Sequence, residues 1–393
     1  MRKIISYLFF LLFCISHWGL EAKVKPESIR AINVYSGVFD EDKELRVYLP
    51  DGYESSYASF PVIYIMDGTK YFDTMVEVVD FMIENHSMPP HIVVGFDNIV
   101  PLRDMTPEAP SMHKRIYPMR GGANRFMEAL EKEIIPEIGK QFRTRSQNVI
   151  VGHDFSGVFA FHVMITNSEL FDRYLLFSPN IWWDNGALVD KFEEFITKKL
   201  TFRKRMYMSI GLEGKQQLFA CEKLVGLLKN STPSDFVWDF EWMADETHYS
   251  LVKKSMMSGL EKIFDDYRFP TEKELVEGGF EKLKSYKGTV LLNYGRDIKV
   301  PYTLLKSVGD KFLEQGREDE AILFLEEGVR LYPASGEALF FLGKAYEKTN
   351  NLPMAKLYFE QAHKMAPERK DFEVKLFRLM QPVRDSISEL IDK

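Results

Sequence analysis

The sequence predicts an α/β domain built on a mostly parallel sheet, followed by an all-α repeat region. Three observations predict this. Short apolar runs alternate with amphipathic helical stretches from about residue 30 to 267. Beyond about residue 300 the pattern becomes helix pairs that recur every 34 residues. The chain, at 393 residues with 45% hydrophobic and 28% charged positions, is globular in balance and too long for one ordinary core.

The first segment reads differently from the rest. Arg2 and Lys3 precede an apolar run at 4–15, then a polar stretch ending at Leu20-Glu21-Ala22. A positive start, a short apolar middle and a small residue at the cut describe a secretory signal over 1–22. The run is too short for a membrane span, which takes ~20 apolar residues. The expected location is therefore periplasmic or secreted, with no membrane attachment after cleavage.

The apolar runs fall at 45–49, 61–66, 91–96, 148–152, 174–177, 206–210 and 236–240. Continuous rather than alternating runs suit strands buried on both faces. Helical patterns at 123–142, 186–200 and 250–267 supply crossovers for parallel pairing. Residues 268–300 read as a charged linker with Gly278 and Gly279 adjacent.

In the last part, Val308-Gly309, Phe312, Ala321 and Pro333 recur as Leu342-Gly343, Tyr346, Ala355 and Pro367. Small residues where helices cross, with proline closing each unit, give the tetratricopeptide pattern over 302–335 and 336–369. A helix at 371–392 is expected to cap them, completing the 301–393 region. Such repeats form grooves for a protein partner or mediate self-association.

Charge and cysteine content exclude several classes. Lys+Arg number 51 against 58 Asp+Glu, a net charge of −7, which disfavours nucleic acid as a partner. Two cysteines, one of them Cys14 in the leader, leave Cys221 alone in the mature chain, so neither a disulfide scaffold nor a cysteine-rich zinc module fits. His86, His91 and His113 lack ligand spacing, and Gly121-Gly122 lacks the rest of a phosphate-binding signature. No metal and no cofactor is expected.

The segment that carries chemistry is Val149-Ile150-Val151-Gly152-His153-Asp154-Phe155-Ser156-Gly157-Val158. A buried strand running through a tight turn into a helix, with small residues at the crowded positions, is a nucleophile elbow. The usual pattern is Gly-x-Ser-x-Gly. Here Asp154 holds the central place and Ser156 replaces the second glycine.

With Val47-Tyr48-Leu49-Pro50-Asp51-Gly52-Tyr53, Ile65-Met66-Asp67-Gly68, Arg103-Asp104-Met105-Thr106-Pro107 and Ser178-Pro179-Asn180-Ile181-Trp182-Trp183-Asp184-Asn185, the chain resembles the putative-esterase branch of the α/β-hydrolases. That branch includes enterochelin (siderophore) esterases, and the likeness runs from about 33 to 267, within the 30–267 domain. Some members look similar in the tetratricopeptide tail as well. The resemblance implies an α/β-hydrolase doubly wound sheet and an ester-like small-molecule ligand. It also implies a triad in which Asp154 stands at the nucleophile position, Glu213 is the acid and His248 the base. The oxyanion hole would use the N–H of Phe155 and one near Gly68 or Thr69.

An aspartate at the elbow alters what the implied triad can do. Its attack on an ester carbonyl would form a mixed anhydride, whereas attack on saturated carbon would form an alkyl-enzyme ester. Three readings follow. One is an esterase-like hydrolase retaining activity through Ser156 or a His248-activated water. The second is an inactive pseudo-esterase that binds through its pocket and its repeat tail. The third is an Asp-nucleophile hydrolase acting on a halide or epoxide. Plainer roles stand beside these: Asp154 as a helix N-cap, His248 and Glu213 as loop residues, Trp182 and Trp183 as packing rather than pocket, and Arg103 in a loop salt bridge with Asp104 rather than at the substrate.

Overall fold

The computed structural model describes residues 26–110, 117–295 and 298–379. The expected leader, His113 and the last part of the expected capping helix lie outside the described residues. The chain divides between Asp265 and Asp266 into two compact units.

The first unit is built on eight strands: β1 Ile29–Ser36, β2 Glu41–Tyr48, β3 Val62–Ile65, β4 Ile92–Phe96, β5 Val149–His153, β6 Arg173–Phe177, β7 Arg205–Leu212 and β8 Val237–Thr247. Their order in the sheet is β1-β2-β4-β3-β5-β6-β7-β8. β1 and β2 pair antiparallel, as do β2 and β4, and every pairing from β4 to β8 is parallel. β3 to β6 are buried at every position, which is what their unbroken apolar runs require.

The two ends of the sheet behave differently, and both depart from the sequence reading. β1 mixes exposed and buried positions and lies at the antiparallel edge, so it carries no continuous apolar run. β8 was expected to be buried on both faces. It is instead a partly exposed edge strand that runs to Thr247, with Trp242 60% accessible.

The helices of this unit are α1 Gly68–Glu84, the short α2 Pro101–Asp104, α3 Ala123–Ala129, α4 Ile135–Gln141, α5 Phe155–Thr166, α6 Trp183–Ile196, α7 Lys215–Ser231 and α8 Leu251–Ile263. The helix expected over 123–142 is interrupted by a π turn at Leu130–Ile134. Pro136 follows directly; it has no N–H and its ring crowds the preceding turn, which a widened turn relieves. α6 starts earlier than expected and kinks through Asp184, Asn185 and Gly186, all at positive φ, a conformation these three residue types tolerate best. α8 ends at Ile263, before the Phe269-Pro270 pair.

The second unit corrects the linker. Residues 272–294 are helical: α9, Glu272–Tyr294, opens on a capping box in which Thr271 Oγ1 accepts from the Glu274 N–H and Glu274 accepts from the Thr271 N–H. The charge of this stretch reads as a linker, while its Thr271-x-x-Glu274 start carries the signal of a helix. Gly279, at φ 62°, takes the bend inside this helix. Next come α10 Tyr302–Glu314, α11 Glu318–Leu331, α12 Gly336–Lys348 and α13 Leu352–Met365. A Cβ on Gly309 would come within 2.9 Å of Leu325, and one on Gly343 within 2.8 Å of Phe359. The two glycines therefore let the paired helices approach at equivalent points of both repeats.

The elbow between β5 and α5 depends on an equally close approach. A Cβ on Gly152 would lie 2.2 Å from the Ser156 carbonyl oxygen, a backbone atom that cannot step aside. Gly152→Ala should therefore cost about 3 kcal/mol, at the upper end of overpacking effects. Thermal unfolding should show a Tm lower by about 10 °C; an unchanged Tm would contradict the packing described.

Candidate active site

The parallel strands deliver their C-terminal ends to one edge of the sheet, and the site collects there. β5 ends at His153, and Asp154 follows at φ 59°, ψ −120° before α5 begins. A non-glycine residue in that region holds about 1–3 kcal/mol of strain. The surroundings enforce it. The Asp154 N–H donates to Phe177 O at 3.1 Å, and its carbonyl accepts from the Val158 N–H at 3.1 Å and the Asn180 N–H at 3.3 Å.

The Asp154 side chain does not cap α5. It turns outward, where Oδ1 accepts a hydrogen bond from Asn180 Nδ2, and it remains 31% exposed. His248 follows β8 and places Nε2 4.0 Å from Asp154 Oδ1. Its Nδ1 lies 3.0 Å from Glu213 Oε1, at the end of β7. Glu213 also accepts from Ser178 Oγ. Asp154, His248 and Glu213 thus form one connected array, in the chain order read from the sequence.

Burial disfavours the charged form of each member, and the partners oppose it. For Glu213, hydrogen bonds from His248 and Ser178 outweigh burial and hold its pKa below the usual range. For His248, burial is outweighed by the hydrogen bond and charge of Glu213 and by the charge of Asp154, so its pKa is raised. For Asp154, burial prevails over His248 and Asn180, so its pKa is raised.

A second carboxylate works beneath the elbow. Asp67 ends the β3 turn and accepts from the His153 N–H at 3.0 Å and from Ser156 Oγ at 2.9 Å. Burial pushes its pKa up to about 6 against those two bonds. His153 Nε2 donates to the His248 carbonyl at 2.8 Å, and burial pushes the His153 pKa down to about 4, keeping the ring neutral. Sequence reasoning does not single out Asp67 or Asn180, although both lie in stretches that carry the family resemblance. An Asp before a helix reads first as a cap, and an Asn in a loop gives no periodic signal.

Ser156 is fully buried, and its hydroxyl points down to Asp67 rather than toward His248. Gly68 opens α1 and Phe155 opens α5 at the ends of neighbouring strands, since Ile65 pairs with Val151. A Cβ on Gly68 would lie 2.4 Å from the Phe96 backbone nitrogen.

Arg103 and Trp183 take their polar partners outside this array. Arg103 is tied to Asp104 at 2.5 Å and to Glu41 at 2.8 Å. The buried ammonium of Lys43 joins the same network through Glu41 at 2.6 Å. Trp183 is buried, donates Nε1–H to Pro107 O at 3.1 Å and packs edge-on against Phe155. Trp182 is half-buried and borders a cleft of about 380 Å³ with Asn185, Val189, Gln216 and Phe219. Neither Asp154 nor His248 lines that cleft. Among the described residues no cluster of His, Cys, Asp and Glu is arranged to hold a metal ion, and no helix is long and apolar enough to cross a membrane.

Known proteins share this architecture. A family model described as putative esterase matches residues 36–216, and one for the tetratricopeptide repeat matches 336–369. The chain is 31% identical over 163 residues to the ferri-bacillibactin esterase BesA of Bacillus subtilis, a match covering 36% of this chain and 56% of that protein. It is 25% identical over 214 residues to a siderophore enterobactin esterase of Emericella nidulans, covering 48% and 70%. The chain thus spans little more than half of the first of these relatives. Among solved structures, an IroE-like serine hydrolase from Shewanella oneidensis superposes with a TM-score of 0.61 at 24% identity, covering 77% of this chain and 99% of that one. An uncharacterised protein from Capnocytophaga ochracea superposes at 0.70 with 15% identity, covering 90% and 99%. These two likenesses speak to fold alone. Residues 36–216, a little under half of the chain, accordingly match the putative-esterase family model on an α/β sheet like that of the hydrolases, and residues 336–369 match the tetratricopeptide repeat.

Proposed function

We propose that the site binds a small ester of the siderophore class and does not turn it over by acyl transfer, which makes the protein an exported pseudo-esterase. One observation carries this: the His248 imidazole stands between two carboxylates, Glu213 on Nδ1 and Asp154 facing Nε2. In an acyl-transfer triad, Nε2 takes a proton from a hydroxyl that then attacks the carbonyl. Here Nε2 meets an acceptor with no proton to give. The second carboxylate also stabilises the imidazolium, which is no base. Ser156 does not compensate, because its hydroxyl is committed to Asp67. The ligand class comes from the relative named as a siderophore enterobactin esterase, and the repeat tail offers a surface for a protein partner.

A second reading has one observation of its own. The Asp154 carboxylate is partly exposed at a strained elbow beside an imidazole, an arrangement that suits displacement at alkyl carbon. There a carboxylate oxygen would bond to carbon as halide leaves or an epoxide C–O bond opens, and water would later cleave the resulting ester.

An ester panel separates these readings. Wild type should show no enzymic turnover of activated short-chain esters. Asp154→Ser should gain it, and adding His248→Ala should lower that gain by about 10²- to 10⁴-fold, the usual worth of a general base. Wild-type hydrolysis that depends on His248 would sink the pseudo-esterase reading. A mass increment on Asp154 after exposure to an alkyl halide or epoxide would establish the second one.

The carboxylate pair also predicts a titration. His248, with its raised pKa, stays protonated to higher pH in the folded protein. Its stabilising contribution is complete below the ordinary histidine pKa and is lost as pH rises through the raised value. In Asp154→Asn, nuclear magnetic resonance titration should find the His248 pKa lower than in wild type, and the loss of stability should move to lower pH. An unmoved titration would show that Asp154 does not act on His248. For export, the mature protein recovered from cells should begin at Lys23; a chain still starting at Met1 would refute the leader.

A further inference from the structure

Next to Asp154, the first turn of α1 carries two groups that the proposed ligand site has not yet used. The Tyr71 hydroxyl is closed off from water and has no hydrogen-bond partner among the described residues. Such a group costs free energy until an acceptor reaches it. Its ring stands perpendicular to His153 at 5.6 Å between centroids, and His153 directly precedes Asp154. The hydroxyl lies within electrostatic reach of both Asp67 and Asp154.

Lys70 is the second group. Its Nζ stands 4.8 Å over the Tyr71 ring and 4.4 Å over the Tyr249 ring. Tyr249 in turn packs on His248 at 4.9 Å and on His153 at 5.7 Å. Lys70 is exposed and, among the described residues, has no carboxylate within ion-pair distance. Its charge nonetheless acts on Asp67, His153, Asp154 and His248. It is therefore a cation held at the mouth of the site by aromatic faces rather than by an anion.

We propose that Lys70 and Tyr71 form a carboxylate-binding subsite beside Asp154, the ammonium and the phenol hydroxyl each taking an oxygen of a carboxylate on the ligand. With the ammonium 4.8 Å from the centre of the phenol ring, that ring's hydroxyl is at most about 7.6 Å away, and two hydrogen bonds of about 2.8 Å to carboxylate oxygens about 2.2 Å apart reach that far. One carboxylate spans that gap. Because the hydroxyl is closed off as the site stands, the carboxylate reaches it only as it draws Lys70 off the Tyr71 ring, a movement that the flexible lysine stem allows. Asp154 would repel the same carboxylate, so the group must sit on the Lys70 side, which orients the ester portion toward the elbow. The ligand is thus an ester that also bears a free carboxylate.

This subsite rests on the reading of the site as an ester-binding pocket, and the test separates the two. Benzoate, its neutral isostere benzamide, and phenyl acetate are titrated into the full-length mature protein. Benzoate should bind about tenfold more tightly than benzamide, the difference a charge-assisted hydrogen bond supplies. Lys70→Met should abolish that preference and leave benzamide unchanged. Tyr71→Phe, which keeps the ring, should weaken benzoate about five- to tenfold without lowering Tm, since it removes only the unpartnered hydroxyl. Equal affinities in wild type, no saturable benzoate binding, or a preference that survives Lys70→Met overturns the subsite. Phenyl acetate binding in any of those cases leaves the ester site standing, whereas failure of all three probes removes both.

Discussion

Asp67 ties together two strands that the rest of the site depends on. Its carboxylate closes the turn after β3 and accepts from the backbone of β5 and from the first turn of α5. β3 and β5 are neighbours in the sheet, so this one side chain fixes where the elbow stands relative to the start of α1. The elbow then carries Asp154 in a left-handed conformation that the strand and helix alone would not sustain. The loop after β6 holds it from the other side, through Phe177 O and Asn180. Remove either clamp and the position of Asp154 is no longer determined. The price of this arrangement is a carboxylate kept in a poorly solvated place, visible in its pKa of about 6.

The electrostatics of the site follow from that geometry. Asp67, Asp154 and Glu213 bring three carboxylates near two imidazoles and one ammonium. The imidazoles divide the work by burial. His153 is held neutral, and its Nε2–H serves the His248 carbonyl. His248, flanked by charge, is biased toward its protonated form. A pair of titratable groups pushed in opposite directions often marks acid and base roles in an enzyme. Here the group pushed upward faces a carboxylate, so the same tuning that prepares a base elsewhere prepares an ion pair.

How much of this was legible depends on which physical rule each residue obeys. The inner strands were legible because burial on both faces leaves unbroken apolar runs, as in Val149-Ile150-Val151. β1 was not, because an edge strand alternates and its signal is shared with loops. The repeats were legible because Gly309 and Gly343 answer the same steric demand at the same offset. Helix α9 was hidden by its charge, since a solvated face and a linker have similar composition. At the site, the order Asp154, Glu213, His248 could be read from position after strands. Asn180 and Asp67 could not, because their roles exist only once β3, β5 and the loop after β6 lie side by side. Tyr71 was silent for the same reason: an unpaired hydroxyl is a property of the packed structure.

The two departures from the Gly-x-Ser-x-Gly pattern invite the idea that the nucleophile has simply moved two places, from 154 to 156. The geometry argues against it. The side chain at 154 leaves a residue at φ 59° and projects toward His248, whereas the side chain at 156 belongs to the first turn of the helix and points back under the strand. No rotamer of a residue inside that turn replaces the elbow position, because the elbow owes its direction to the left-handed backbone and not to side-chain length. Ser156 instead gives Asp67 a second donor that a glycine could not supply. The two changes thus act on different carboxylates. Ser156 steadies Asp67 beneath the elbow, whereas Asp154 sets a carboxylate above it at a strained position where burial disfavours its charge and His248 and Asn180 offset part of that cost, so the two positions are not one serine displaced by two places.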